Sequence, residues 1–409
     1  MIARIFPPVS PSADPLEISL PLSKSISIRR LMLDALAGVV TPEADVADCG
    51  DTAVVRRALA LSGSERSVDV DGCGAAMRFL TAYFACLEGV TTRLIGNHRL
   101  CERPVGSLVE ALRRLGADIK YSGREGFPPL LIKGRKLSGG AVTLPGDVSS
   151  QYVSALMMIA PMLSERLIIN VVPPVVSRPY ILMTAGMISR YGALCRIEKP
   201  ETSGMRIIID PSCLAAPAVG LKEPDWTAAS YWYETAALTG RSLVLPEMPA
   251  ESLQGDAALT DYFYQISLAR NYNTVLELNL DGTPDLAPTL AATCCGLDVP
   301  FRFVGLAALR IKESDRLTAL CRELGRLGFD VEPAGDGAMI YTGVRSEQEL
   351  PVRIATYGDH RMAMAMAPLA VLSPGLEIED PEVVGKSYPG FWSDLRSAGY
   401  EVNIEERWQ

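Results

Sequence analysis

One short pattern recurs along the chain: a helix-like apolar stretch, a glycine, and then a strand-like stretch. The clearest copies are centred on Gly116, Gly192, Gly328 and Gly399, which lie 76, 136 and 71 residues apart. A glycine just after a helix is typical of a C-cap, so each copy predicts a helix followed by a strand. Because 136 is close to twice 68, we expect a weaker copy in the long interval, and Ala58–Gly63 is a candidate for an earlier one. A repeat of roughly 70 residues predicts about six such units.

Units of this kind bury their apolar helix faces only against neighbouring units. The pattern therefore predicts an α/β (α+β) fold whose units are grouped into globular lobes. The 409 residues are enough for two or three domains at about 150 residues each. A linker is expected at Ala215–Asp225, where Pro217, Gly220 and Pro224 interrupt both the helical and the strand periodicity.

Hydrophobic periodicity places the individual elements. Apolar residues at helical spacing predict helices over 27–36, 75–87, 106–115, 150–163, 179–191, 230–238, 286–295, 315–327 and 361–372. Runs rich in β-branched and apolar residues predict strands over 130–133, 167–172, 206–210, 242–245, 274–280 and 301–304.

The composition excludes several classes of protein. A net charge of −9 argues against nucleic acid as a partner, because binding the phosphate backbone needs a basic face. The nine cysteines contain no C-x-x-C pair, so neither a disulfide framework nor a zinc site is predicted, and the cytoplasm is the expected setting. We find no signal sequence and no apolar run of about 18 residues, so we expect neither export nor a membrane span.

The stretch Leu309–Leu317 is unusually charged and runs directly into a predicted helix. Acidic side chains suit the positive end of a helix dipole, but Lys312 and Arg316 do not. Two interpretations stay open. The cations hold an anionic ligand, or the stretch is an exposed capping segment with a local salt bridge.

Several other predicted helices also begin with polar residues that are good N-caps. Together with nearby cations they predict several positive helix ends, which is how a protein binds phosphate groups without a metal. These residues are Ser25 with Ser27, Ser149 with Ser150, Asp285, Glu313, and Asp359 with His360.

Taken in order, these stretches resemble the 5-enolpyruvylshikimate-3-phosphate synthase (3-phosphoshikimate 1-carboxyvinyltransferase) family, from about Leu20 to Pro389. Each motif is short and weak by itself, but all of them occur in the family's order. The motifs are Leu20–Arg29 (with Leu22 in place of the usual glycine), Glu102–Pro104, Val148–Gln151, Ser177–Tyr180, Pro284–Asp285, Arg310–Arg316, Asp359–Met362 and Lys386–Pro389.

The resemblance implies a fold of two similar lobes, each of three βαβαββ units, the inside-out barrel of enolpyruvyl transferases. Residues 22–224 would form the lobe with the shikimate-phosphate site. Residues 1–21 and 225–409 would form the lobe with most of the phosphoenolpyruvate and acid/base residues. The chain would cross between them near Pro21 and Asp225, with the active site between lobes that close over the substrates.

The resemblance also implies an activity: transfer of the enolpyruvyl group of phosphoenolpyruvate to the 5-hydroxyl of shikimate 3-phosphate, with release of phosphate, in chorismate and aromatic amino-acid biosynthesis. The expected partners are these two small molecules, with no nucleic acid, no membrane, no cofactor and no metal, and the expected state is a monomer.

Roles carry over by resemblance to the matching positions. Asp285 would orient or deprotonate the hydroxyl, Glu313 would handle the carbon-bound proton, and His360 is either a proton carrier or a structural residue. The shikimate-phosphate site would comprise Ser25, Arg29, Ser149, Ser150, Gln151, Ser177 and Tyr180. Phosphoenolpyruvate would be bound by Arg103, Arg316, Arg361 and Lys386, the last also counted as catalytic. Lys24 would act on both substrates, with Gly74 and Lys312 as further binding residues.

Some positions depart from the family pattern. Gly72–Arg78 lacks the family's usual asparagine and threonine, with Ala75 at the threonine position. Ala308 replaces a polar residue, and the interval from Asp51 to Gly72 is short enough to lack a strand or hairpin. One alternative is the UDP-N-acetylglucosamine enolpyruvyl transferase, which usually has Lys-Asn where this chain has Lys24–Ser25. The other is a non-catalytic paralogue that binds phosphorylated metabolites.

Overall fold

The structure is a computed structural model that describes residues 1–8, 14–198, 204–218, 221–348 and 351–406. It divides into two compact units. We call Leu22–Glu223 the continuous unit, and Met1–Pro21 together with Pro224–Gln409 the split unit. Within the predicted linker, Gly220 lies outside the described residues.

The helices of the described residues are α1 (Lys24–Leu36), α2 (Gly50–Ala60), α3 (Gly74–Cys86), α4 (His98–Cys101), α5 (Gly106–Arg114), α6 (Ser150–Ile159), α7 (Arg178–Arg190), α8 (Trp226–Thr239), α9 (Leu259–Tyr272), α10 (Ala287–Gly296), α11 (Arg316–Arg326), α12 (His360–Met366) and α13 (Phe391–Ser397). None of them is long and apolar enough to cross a membrane.

The strands of the described residues are β1 (Ile2–Phe6), β2 (Leu16–Glu17), β3 (Glu65–Asp69), β4 (Thr91–Ile95), β5 (Asp118–Tyr121), β6 (Leu130–Lys133), β7 (Gly140–Pro145), β8 (Leu167–Val172), β9 (Cys195–Glu198), β10 (Met205–Ile209), β11 (Leu243–Val244), β12 (Leu276–Asn279), β13 (Phe301–Val304), β14 (Phe329–Ala334), β15 (Ala338–Arg345), β16 (Arg353–Ile354), β17 (Leu376–Glu379) and β18 (Glu401–Glu405).

Four four-stranded sheets share one topology. The continuous unit has the orders β3-β4-β6-β5 and β7-β8-β10-β9, and the split unit has β12-β13-β15-β14 and β16-β17-β1-β18. In each sheet the first two strands are parallel and the other pairs are antiparallel. Parallel neighbours need a crossover, and a helix supplies it each time, which gives the βαβαββ order. In the last sheet the N-terminal strand β1 takes the third place in the strand order, which the last strand in sequence (β6, β10 or β15) takes in the other three sheets.

The third copy in each unit is smaller. In the continuous unit it consists of α1 and α2, and the described residues around them add no four-stranded sheet. In the split unit it consists of α8 and α9 with the two-residue parallel strands β2 and β11. The predicted α/β fold of repeated βαβαββ units is confirmed, with two complete copies and one reduced copy in each unit.

The helix–glycine–strand pattern recurs through the described residues. Glycine with a positive φ lies between a helix and the next strand after α2, α3, α5, α7, α8, α11 and α13, and Asn273 (φ 52°) takes this place after α9. Asparagine is among the few other residues that adopt this left-handed conformation readily. The long interval, where one weaker copy is predicted, therefore holds two: α8 with Gly240 and β11, and α9 with Asn273 and β12.

Several elements differ from their predicted ranges. The predicted helix 150–163 ends as an α-helix at Ile159 and continues as the 3₁₀ turn Ala160–Met162, which contains Pro161. The predicted helix 361–372 ends as an α-helix at Met366 and continues as a 3₁₀ turn, Ala367–Val371, because Pro368 has no amide hydrogen to donate. The predicted strand 242–245 shrinks to β11. The repeat predicts a weaker copy in the interval that contains the fourteen-residue helix α9, but hydrophobic periodicity predicts no range for this helix.

The sheets surround helices that are apolar on nearly every side. All seven residues of α12 are buried, as are nine of the ten in α10. Helices of this kind are stable only in the interior, so their polar groups concentrate at their ends. The predicted site residues Asp285, Asp359 and Ser149 all lie at such helix starts.

Candidate active site

The charged side chains of the segment Leu309–Leu317 have two structural roles: some cap helix α11, and others form ion pairs with more distant residues. Arg310 Nη1 donates to Asp315 Oδ2 at 3.2 Å, and Asp315 Oδ1 caps α11 by accepting from the Thr318 amide at 3.2 Å. The local salt bridge of the capping interpretation is therefore present. The remaining charged side chains of the segment, Lys312, Glu313 and Arg316, form ion pairs in a second group that includes Asp285.

Arg316, the first residue of α11, is the centre of this second group. Its side chain is 1% exposed, and its Nε and Nη2 donate to the two carboxylate oxygens of Asp359 at 2.8 and 3.2 Å. Nη1 donates to Asp285 at 2.9 Å and Nη2 to Glu313 at 3.0 Å. Burial alone would lower the pKa of Arg316, but the three carboxylates outweigh it and raise the pKa above its usual value. The N-terminal ends of α10, α11 and α12 meet at this side chain.

Asp285 lies in the 3₁₀ turn that leads into α10 and is surrounded by cations. Its Oδ2 accepts from Arg361 at 2.9 Å and its Oδ1 lies 3.5 Å from Lys312 Nζ. Burial raises the pKa of Asp285, but the charges of Arg361, Lys312 and Arg316 lower it well below its usual range. The carboxylate is therefore ionised at neutral pH, in the orientation that the two arginines impose.

Asp359 and His360 form the start of α12. Asp359 is fully buried, caps the helix by accepting from the Arg361 amide at 3.0 Å, and lies 3.3 Å from the Ser314 hydroxyl. His360 is 1% exposed, with its Nδ1 3.9 Å from Asp359 Oδ1. This position is compatible with either expected role for His360.

Two partly exposed lysines complete the group. Lys312 is 25% and Lys386 21% exposed at the side chain, and Lys386 Nζ lies 4.0 Å from Glu313 Oε1. When all these groups are ionised, four cations face three carboxylates, so the site carries one positive charge in excess and suits an anion. We call the three carboxylates and two arginines of this group the carboxylate–arginine cluster: Asp285, Glu313, Arg316, Asp359 and Arg361.

The continuous unit carries the other predicted residues. Lys24 opens α1, and its Nζ lies 3.0 Å from Asp51 Oδ2, in the first turn of α2. Arg29, one turn further along α1, is 4% exposed and donates to the Ser25 carbonyl oxygen at 3.0 Å. Burial lowers the pKa of Arg29 to about 10.

Gly74, the first residue of α3, lies against two arginines. A Cβ at this position would lie 2.8 Å from Arg103 Nη1 and 3.0 Å from Arg78 Nη1. Arg78 is 3% exposed and donates to the carbonyl oxygens of Gly74 and Pro104, and its Nε has no hydrogen-bond partner among the described residues. Burial and the charge of Arg103 lower the pKa of Arg78 to about 10. Gly74 therefore leaves room for two like charges that favour an anion between them.

The serine motifs lie at the starts of two neighbouring helices. Ser149 caps α6 by accepting from the Gln151 amide at 3.2 Å, and Ser150 is the first residue of that helix. Ser177 precedes α7 with a positive φ of 52°, and its carbonyl oxygen accepts from the Tyr180 amide at 3.1 Å. A positive φ is uncommon for any residue other than glycine, and residues held in such conformations are frequent at binding sites.

No group of three or more His, Cys, Asp or Glu side chains in the described part of the chain is arranged to hold a metal ion. The charges of the site are balanced instead by arginine and lysine.

A sequence model of the family described as EPSP synthase (3-phosphoshikimate 1-carboxyvinyltransferase) matches residues 50–395, which is most of the chain. The chain belongs to this family. The family's members are enzymes of the shikimate pathway that act on small molecules, and the resemblance read from the motifs is confirmed.

Relatives with that name align with this EPSP synthase family member over nearly the full length. The 3-phosphoshikimate 1-carboxyvinyltransferase of Bacteroides fragilis (strain YCH46) is 43% identical, over 97% of this chain and 98% of the relative. That of Cellvibrio japonicus is 33% identical over 92% and 95%. Among solved structures, EPSP synthase from Acinetobacter baumannii superposes with a TM-score of 0.71 at 19% identity, over 99% of this chain and 100% of that one, which confirms the fold.

Sequence motifs missed several residues that interact with the predicted site residues of one unit or the other. The motifs give Arg78 only as the last residue of the Gly72–Arg78 segment, although its spacing of four from Gly74 places both residues on one helix face. Ser154 and Thr184, which bind Arg29, follow Ser150 and Tyr180 by the same spacing. Asp51 and Asp256 carry no motif that separates them from other acidic residues. Asp256 is buried, accepts from the Thr227 hydroxyl, and has a pKa raised to about 6 by burial.

Proposed function

We propose that the chain transfers the enolpyruvyl group of phosphoenolpyruvate to the 5-hydroxyl of shikimate 3-phosphate and releases phosphate. Membership of the EPSP synthase family supports this, as does 43% identity to a full-length relative that is named for the reaction. The observation that carries the proposal is the carboxylate–arginine cluster, which combines carboxyl groups for proton transfer with cations for an anionic substrate.

The cations of the split unit are assigned to phosphoenolpyruvate. Arg316 is held on three sides by carboxylates, so it is oriented before any ligand binds, and Arg361 is aligned by its bond to Asp285. Guanidinium groups suit bidentate contacts with phosphate and carboxylate. Lys386 and Lys312 add charge from the more exposed side, and Arg103 of the continuous unit is assigned to the same substrate.

The reaction is an addition followed by an elimination. In the addition, the 5-oxygen bonds to C2 of phosphoenolpyruvate, C3 gains a proton, and the hydroxyl loses one. In the elimination, the C2–O bond to phosphate breaks and C3 loses a proton. Glu313 is assigned the proton at C3 in both steps, and Asp285 the proton of the hydroxyl.

The lowered pKa of Asp285 makes it a weak base before substrate binds. An anionic substrate that contacts Arg361, Lys312 and Arg316 offsets the positive potential of these groups, so the pKa of Asp285 rises toward its ordinary value. Binding of phosphoenolpyruvate is therefore expected to make Asp285 a better proton acceptor. His360 is assigned a supporting role beside Asp359.

The continuous unit is assigned to shikimate 3-phosphate. Serine hydroxyls and amides at helix starts suit a phosphate group, and Arg29 supplies a buried positive charge. The residues assigned to this substrate are Ser25, Arg29, Ser149, Ser150, Gln151, Ser177 and Tyr180, with Gly74 and Lys24 close to both substrates. We further propose that the chain acts as a monomer in the cytoplasm, in chorismate and aromatic amino-acid biosynthesis, as the family resemblance implies.

Phosphate release from phosphoenolpyruvate tests the proposal. We expect release by the purified chain when shikimate 3-phosphate is present, and none when it is omitted. Release only with UDP-N-acetylglucosamine would instead assign the chain to the related sugar-nucleotide enzyme. Binding of shikimate 3-phosphate without any release would identify a non-catalytic paralogue.

A further inference from the structure

The buried guanidinium of Arg29 is held by neutral groups. Its Nε donates to the Thr184 hydroxyl at 2.7 Å and its Nη2 to the Ser154 hydroxyl at 3.3 Å. Its Nη1 donates to the Ser25 carbonyl oxygen at 3.0 Å. All three acceptors are dipoles without net charge, so none of them neutralises the arginine.

This differs from Arg316, which is equally buried but contacts three carboxylates. A cation that is removed from water without a counterion is costly, and burial accordingly lowers the pKa of Arg29 to about 10. A guanidinium has five N–H donors, one on Nε and two on each terminal nitrogen. Three of the five donors of Arg29, one on each nitrogen, have partners among the described residues. One donor on each terminal nitrogen is thus available for an anion.

Thr184 and Ser154 each lie one helical turn after a residue that is assigned to shikimate 3-phosphate. Thr184 follows Tyr180 on α7, and Ser154 follows Ser150 on α6, each by four positions. Both hydroxyl residues are fully buried. The Thr184 hydroxyl lies 2.9 Å from both the Tyr180 carbonyl oxygen and the Ser154 hydroxyl, and it can donate its one proton to either. The two side chains therefore link both helices to Arg29 from the interior.

We propose that Thr184, together with Ser154, is a positioning residue for shikimate 3-phosphate. The two hydroxyls fix the orientation of the Arg29 guanidinium and leave its charge available to an anionic group of the substrate. A carboxylate at either position would fix Arg29 equally well but neutralise it, and an alkyl group would leave a buried N–H without an acceptor. The assignment rests on the proposed function and deepens it.

Calorimetric titration with shikimate 3-phosphate in the absence of phosphoenolpyruvate tests this assignment, followed by steady-state kinetics. Thr184→Val keeps the shape and removes the hydroxyl, and Thr184→Ser restores it. The matched control is Thr81→Val on α3, another fully buried threonine, whose hydroxyl donates to the Met77 carbonyl oxygen at 2.6 Å. We expect Thr184→Val to weaken binding and raise the KM for shikimate 3-phosphate about ten-fold, while the KM for phosphoenolpyruvate changes less than about two-fold. Thr184→Ser and Thr81→Val should bind like the unmodified chain.

Equal binding by Thr184→Val and Thr81→Val would overturn the assignment, as would an equal rise in both KM values. If Thr184→Val does not fold, Ser154→Ala takes its place, with an expected loss of about three- to five-fold in binding because its bond to Arg29 is longer. Failure of the unmodified chain to bind shikimate 3-phosphate or release phosphate is a different result, which would remove the proposed function itself.

Discussion

Replacement of Arg316 by lysine is the perturbation for which the structure gives the clearest magnitude. Arginine makes four hydrogen bonds to three carboxylates from three nitrogens, and lysine has a single nitrogen that cannot reach all of them. Asp285 keeps Arg361 and Lys312, and Glu313 keeps Lys386. The carboxylate most affected is Asp359.

Asp359 is fully buried, and in the variant it keeps two neutral donors, the Arg361 amide and the Ser314 hydroxyl. Loss of one partner from a buried ion pair costs about 3–5 kcal/mol, a large share of the roughly 5–15 kcal/mol by which proteins are stable. Arg310→Lys is the matched control, because Arg310 and Asp315 are 33% and 43% exposed at the side chain. An exposed pair contributes about 0–1 kcal/mol.

Urea unfolding of both variants and of the unmodified chain measures how much free energy of unfolding each substitution removes. We expect the free energy of unfolding to fall by at least about 2 kcal/mol more in Arg316→Lys than in Arg310→Lys. The slope of this free energy against urea concentration should be the same in both variants. Equal losses in the two variants would refute the view that Arg316 is the electrostatic centre of the split unit.

Two further predictions follow from burial and space. The pKa of Asp256 is raised to about 6, so its contribution to stability is complete below the unfolded pKa of about 4 and is lost as the pH rises through 6. Unfolding measured from pH 4 to 7 should show a decrease of about 2–3 kcal/mol that Asp256→Asn abolishes, and an unchanged profile in that variant would contradict the assignment. Gly74→Ala should raise the KM for phosphoenolpyruvate, because the new methyl group displaces Arg103, whereas Gly325→Ala, a helical glycine with open space around it, should leave the KM unchanged. Equal KM values in the two variants would show that Arg103 adjusts without cost.

The sequence predicted elements well where a local signal exists. Strands β6, β8 and β13 match their predicted ranges because short apolar runs between turn residues are read locally. Helix α9 was missed because it ends in Asn273 rather than glycine and buries only Leu259, Ile266 and Ala269, a weak apolar stripe. Strand β11 is two residues long and is fixed by pairing with β2, more than two hundred residues earlier, which no local pattern contains.

In the candidate site, too, the residues within local motifs could be predicted, and those that depend on tertiary contacts could not. Family motifs located its charged residues, including Asp285 and Arg316, because each lies in a short segment with a characteristic spacing. Thr184 and Ser154 were not found, since a hydroxyl inside an apolar helix usually bonds to its own backbone and gives no sign of a remote partner. The perturbed pKa of Asp256 likewise depends on burial, which only the folded structure determines.

Glu313 provides the most direct test of the central claim, that carboxylates of the carboxylate–arginine cluster move the protons of enolpyruvyl transfer. The measurement is the initial rate of phosphate release at saturating phosphoenolpyruvate and shikimate 3-phosphate, for Glu313→Gln beside Asp315→Asn. Both variants replace a carboxyl group by an amide in the same segment, but Asp315 caps α11 and pairs with Arg310. We predict that Glu313→Gln lowers kcat by about 10²- to 10⁴-fold while Asp315→Asn stays within about three-fold of the unmodified chain. A Glu313→Gln rate equal to that of Asp315→Asn would contradict the account.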